Sequence, residues 1–133
     1  MSNNKVKKLL LVDDEPDVTY TIKNILEDNG FQVDTFNDPV TTLKSYTSNY
    51  YNLVILDIKM PKMDGFELYI KIREKDPKVK ICFFTATAMF TEEIKKALLA
   101  LGKTINEDYF IQKPVRIEVL IKKITLIMNK NKE

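Results

Sequence analysis

The sequence predicts a doubly wound α/β fold: five parallel strands in one sheet, with helices on both faces. Three observations predict it. Short apolar runs alternate with longer segments whose apolar residues fall at helical spacing. All but one of those runs are continuously apolar, as strands buried on both faces are. The length, 133 residues, suits one domain, and right-handed crossovers then wind the helices onto both sides.

Each element follows in order. Residues 1–5 are polar and expected to be disordered; the domain is expected over 6–129, and 130–133 as a tail. Residues 6–12 read as the first strand. Asp13-Asp14-Glu15-Pro16 then starts a helix, since Pro is tolerated in a first turn. Val18, Ile22, Ile25 and Leu26 form its apolar stripe, and Asn29-Gly30 ends it. Residues 31–36 alternate, as a half-exposed strand at a sheet edge does. Asn37-Asp38-Pro39 opens a second helix with Val40, Leu43 and Tyr46 or Tyr50 facing the core; Thr41, Thr42 and Ser45 lower its propensity.

Residues 53–56 are the third strand, and 66–74 the third helix, with Phe66, Tyr69, Ile70 and Ile72 turned inward and Asp76-Pro77 closing it. Residues 79–84 are the fourth strand. Thr91-Glu92-Glu93 opens a fourth helix with Ile94, Ala97, Leu98 and Leu101 as its stripe and Gly102 as its cap. Residues 109–111 make a short fifth strand. The last helix, 115–128, carries apolar residues around a wide arc, most of it core and the excess a partner surface.

Composition excludes several functions. There is no histidine, so neither a histidine general base nor an ordinary zinc site is available. The one cysteine, Cys82, lies in an apolar run and reads as a buried, inert thiol. A net charge of +2 is too small to argue for nucleic-acid binding. No apolar run is long enough to span a membrane, and the N-terminus lacks a signal-peptide pattern. A soluble cytoplasmic protein is expected, without membrane insertion or direct nucleic-acid binding.

Polar residues stand at four strand ends: Asp13-Asp14, Asp57, Thr85 and Lys113. In a parallel sheet these ends converge on one rim, where ligands bind. Taken singly, each has a structural use: a helix cap, a turn, a surface lysine. Together, three carboxylates and an ammonium repel or pair at close quarters and favour a hard divalent cation such as Mg²⁺. A carboxylate is also a nucleophile toward phosphorus, and a cation, a lysine and a hydroxyl would stabilise phosphoryl oxygens. The array predicts phosphoryl transfer to Asp57. No glycine-rich phosphate loop follows the first strand and no G-x-S-x-G elbow is present.

The stretches Leu10-Leu11-Val12-Asp13-Asp14-Glu15, Asp57-Ile58-Lys59-Met60-Pro61-Lys62-Met63-Asp64-Gly65-Phe66-Glu67-Leu68, Thr85-Ala86 and Lys113-Pro114 resemble the receiver domain of two-component response regulators, in the CheY-like superfamily. The resemblance covers about residues 7–128. It implies a flavodoxin-like sheet of order 2-1-3-4-5. It implies Asp57 as phosphoacceptor, with Mg²⁺ held by Asp14 directly, by Asp13 through water, by Asp57 and by the Lys59 carbonyl; Mn²⁺ is expected to substitute. It implies Thr85 as switch hydroxyl, Lys113 as phosphoryl contact and Phe110 as aromatic rotamer switch. The side chains of Lys59 and Thr87 sit where the family tunes dephosphorylation. The implied donor is a histidine kinase, a phosphohistidine transfer protein or a small phosphodonor, and catalysis is limited to the protein's own phosphorylation and dephosphorylation. An unidentified output protein is expected to bind through residues 91–128.

One departure stands out: residues 103–112 separate Gly102 from Lys113, several more than the family usually has, and the usual Gly-Ala pair is missing. A longer fourth helix or an enlarged loop would account for it. The alternatives to a phosphorylated switch are an interaction module that keeps only the fold, a receiver fragment of a longer DNA-binding regulator, and a haloacid-dehalogenase-like phosphatase. The last needs an Asp-x-Asp spacing that Asp13-Asp14-Glu15 lacks.

Overall fold

In a computed structural model the described residues are 5–86, 92, 95–96, 99–100, 109–113 and 115–129, Thr85 through its backbone. The strands are β1 (Lys8–Val12), β2 (Gln32–Phe36), β3 (Leu53–Asp57), β4 (Lys80–Thr85) and β5 (Phe110–Gln112). The helices are α1 (Pro16–Asp28), α2 (Pro39–Ser45), α3 (Gly65–Lys75) and α4 (Ile117–Asn129). All strands pair in parallel in the order β2-β1-β3-β4-β5. The half-exposed second strand is an edge, as its alternation predicts.

Side-chain alternation divides each central strand between two cores. Leu10, Val12, Val54, Leu56, Ile81 and Phe83 face α2 and α3, where they meet Leu68, Tyr69 and Ile72. Leu9, Leu11, Leu53, Ile55, Cys82 and Phe84 face α1 and α4, where they meet Leu26, Leu120, Ile124 and Ile127. Cys82 is fully buried, and burial pushes its thiol up to about 12, so it is inert as expected. The apolar excess on α4 is real: Ile117, Val119 and Leu126 are exposed.

Helix starts follow local chemistry. Pro16 and Pro39 occupy first turns, and Asp38 caps α2 by accepting the Thr41 N–H at 3.0 Å. Asp64 caps α3 through the N–H groups of Phe66 and Glu67. Gly65 then passes against the end of β3, its N–H donating to the Ile58 carbonyl at 2.8 Å. A Cβ there would lie 2.3 Å from the Asp57 carbonyl oxygen, so only glycine fits.

Boundaries differ from expectation by a residue or two. The last helix begins at Ile117 rather than 115, and the third takes in Gly65 and Lys75. Thr42, read only as a poor helix former, is fully buried, its hydroxyl donating to the Asp38 carbonyl. Of the expected fourth helix, Glu92, Lys95, Lys96, Leu99 and Ala100 are helical. Its stripe Ile94, Ala97, Leu98 and Leu101, its cap Gly102, the extension 103–108, the first four residues and the tail 130–133 lie outside the described residues.

Candidate functional site

Registry brings the site together. Val12 pairs with Leu56 and Asp57 with Phe84, so β1, β3 and β4 end on the same side, each one residue beyond the last. The residues following β1 and ending β3 therefore meet on one rim. Carboxylate oxygens of Asp13, Asp14 and Asp57 lie within 4.8 Å of one another. Lys113, just past β5, reaches in from the other side. Its ammonium sits 2.6 Å from Asp13 and 3.7 Å from Asp57, and 5.0 Å above the Phe84 ring.

Asp13 is fully buried and held on every side. Its backbone N–H donates to the Phe36 carbonyl, and its carboxylate accepts the Glu15 N–H at 3.0 Å besides Lys113. Asp57 is 7% exposed and accepts the Ile58 N–H at 2.9 Å. Burial, then the Asp13 charge, push its carboxyl up to about 7, against the pull of Lys113. Asp14 is half-buried and has no hydrogen-bond or ion-pair partner among the described residues. The pocket thus holds two carboxylates that share Lys113, Asp13 closely and Asp57 at longer range, and a third, Asp14, without a partner among the described residues. That all-oxygen set suits a hard divalent cation better than a soft metal.

Of the other predicted residues, Thr85 ends β4 opposite Gln112, on the same rim. Lys59 is exposed, two residues past Asp57. Phe110 points inward at 9% exposure and stacks on Phe83 at 5.3 Å, which also meets Phe66 and Tyr69 of α3. Thr87 and Pro114 lie outside the described residues. Sequence reasoning missed Asn37, read only as a helix-opening signal. Its amide donates to the Asp13 carbonyl at 2.8 Å and to the Thr19 hydroxyl at 3.0 Å.

Known proteins are similar to this chain in sequence and fold. The family model for the response regulator receiver domain matches residues 9–125. The chain is 34% identical over 126 residues to the transcriptional regulatory protein CpxR homolog of Haemophilus influenzae, covering 95% of this chain and 52% of that protein. It is 30% identical over 131 residues to the transcriptional regulatory protein RprY of Bacteroides fragilis, covering 95% of this chain and 53% of that one. The chain thus spans about half the length of these curated relatives. Among solved structures, the response regulator TrrA from Thermotoga maritima, in complex with Mg²⁺-BeF, superposes with a TM-score of 0.76 at 31% identity, covering 92% of this chain and 99% of that one. A CheY-like receiver domain protein from Methanospirillum hungatei gives 0.77 at 29% identity, covering 94% and 95%. By the family match, the shared sheet order and the acidic rim, this chain belongs to the response regulator receiver domain family.

Proposed function

We propose that residues 6–129 form a receiver that accepts a phosphoryl group on Asp57 and signals to a partner protein. The observation that carries this is the Asp13, Asp14 and Asp57 cluster within 4.8 Å, with Lys113 spanning Asp13 and Asp57. An ionised Asp57 oxygen attacks phosphorus of a phosphohistidine or acetyl phosphate. The bond from phosphorus to the donor atom breaks, and its electron pair leaves with the donor. Asp57 gives up no proton in this step, so the reactive form is the one its burial disfavours. Lys113 stabilises that form and then faces the new phosphoryl oxygens.

The acidic cluster fits Mg²⁺, which when bound neutralises charge on carboxylate and phosphoryl oxygens. Asp13, Asp14, Asp57 and the Lys59 carbonyl would hold it, and Mn²⁺ would replace it. The Mg²⁺-BeF complex of the Thermotoga maritima relative supports this assignment. Thr85 would follow the phosphoryl group and Phe110 would move with it, biasing a two-state equilibrium. Thr87 and the Lys59 side chain would set the rate of hydrolysis. The donor is a histidine kinase or phosphohistidine transfer protein in the cytoplasm, and the output partner docks within residues 91–128. The exposed Leu99, Ile117 and Leu126 support that docking region.

Incubation with MgCl₂ and acetyl phosphate, followed by intact mass measurement, tests this reading. One phosphoryl group adds to the parent and none to Asp57→Asn. No adduct from acetyl phosphate or from a panel of histidine kinases supports a module that keeps only the fold. For the switch, Phe110→Ala leaves Asp57 phosphorylation intact while weakening partner binding; equal loss of both rules the switch out.

A further inference from the structure

We infer that Asn37 is a positioning residue for the cation pocket, acting through the peptide between Asp13 and Asp14. This rests on the metal site proposed above and adds a residue of the edge strand's turn to it. The Asn37 amide donates 2.8 Å to the Asp13 carbonyl oxygen, which belongs to that peptide. Fixing its plane fixes the direction in which Asp14 leaves the chain. Asp14 needs such a hold: its own carboxylate has no partner among the described residues, whereas that of Asp13 is held by Glu15 and Lys113.

The same amide donates 3.0 Å to the Thr19 hydroxyl, which is nearly fully buried and itself donates to the Pro16 carbonyl. Asn37 therefore grips the β1–α1 connection at both ends, at Asp13 and in the first turn of α1. The residue type matters. A carboxamide supplies two N–H donors without charge, where a carboxylate would turn acceptors toward a carbonyl and add to a pocket already holding three acids. The β1 register supports the grip: Asp13 N–H is tied to the Phe36 carbonyl, so both faces of the acidic turn hang from the end of β2.

The test is a MgCl₂ titration of the unphosphorylated protein, followed by ¹H–¹⁵N spectra at Asp14, Glu15 and Ile58. Parent and Asn37→Ala are compared, with phosphorylation by acetyl phosphate measured over the same Mg²⁺ range. Loss of a group that orients a metal ligand costs roughly tenfold in metal affinity. Asn37→Ala is expected to raise the half-saturating Mg²⁺ by about that factor, while its phosphorylation rate at saturating Mg²⁺ returns to within about twofold of the parent, a split a general loss of packing does not produce. Thr19→Val, which keeps the shape and removes the second acceptor, shifts the Mg²⁺ midpoint in the same direction by less. Unchanged Mg²⁺ affinity in Asn37→Ala, or a lowered saturating rate with an unmoved midpoint, overturns the positioning role. A parent that itself binds no Mg²⁺ overturns the proposed metal site instead.

Discussion

Asp57 is buried where its charge is unwelcome, and that sets a pH dependence with a definite sign. Its carboxyl is raised from 3.8 to about 7, so between those values the folded protein holds a proton that the unfolded chain has released. Stability from this group is present at low pH and is lost as pH rises through that window. Asp57→Asn removes the buried charge. In EDTA it is expected to stabilise by about 1–3 kcal/mol at pH 8 and by under about 1 kcal/mol at pH 5, read by urea unfolding. An equal gain at both pH values contradicts the raised carboxyl. Lys113→Met has the opposite sense. It strips the fully buried Asp13 of a partner at 2.6 Å, and about 3–5 kcal/mol is expected to be lost in EDTA. Saturating MgCl₂ should recover part of it; a loss indifferent to Mg²⁺ argues against a cation among these acids. At this scale the sequence was most legible where charge breaks an apolar run, as at Asp57. Asn37 was not legible, because its partners lie 24 and 18 positions away and its own neighbours, Asp38 and Pro39, explain it as a helix start.

Element boundaries were legible from caps and prolines, and element contacts were not. The Pro at the start of α1 and α2 and the Asp cap of α2 mark helix starts in sequence as they do in structure. Leu68 was passed over beside Phe66 and Tyr69, yet it is fully buried, since only the facing sheet decides which neighbour is central. Gly65 shows the same limit. Its contact with the end of β3 belongs to tertiary structure. Gly65→Ala places a methyl 2.3 Å from the Asp57 carbonyl oxygen, and backbone cannot yield as a side chain can. The expected cost is about 2–3 kcal/mol in urea unfolding, with slower phosphorylation because the backbone that moves is that of Asp57. A neutral Gly65→Ala contradicts the tight approach of α3 to β3.

At the scale of the whole molecule, the continuous apolar runs told that the sheet is covered on both sides, and alternation within them settles which residue faces which pair of helices. The sheet order came from the family resemblance; no local pattern distinguishes β3 from β4 as the neighbour of β1. One consequence of the two-sided cover concerns measurement. Cys82 is the chain's single thiol, lies at the centre of β4 and is fully buried. A thiol reagent in solution reaches it only when the sheet opens, so the labelling rate follows the fraction of molecules that is open. In native buffer the labelling rate is expected to fall below that of the unfolded chain by the unfolding constant, and to rise log-linearly with urea; rapid labelling without denaturant contradicts the burial. Anything that binds only the folded chain slows labelling by mass action. Candidate kinases and output proteins can therefore be ranked by label uptake, whichever surface of the domain they touch.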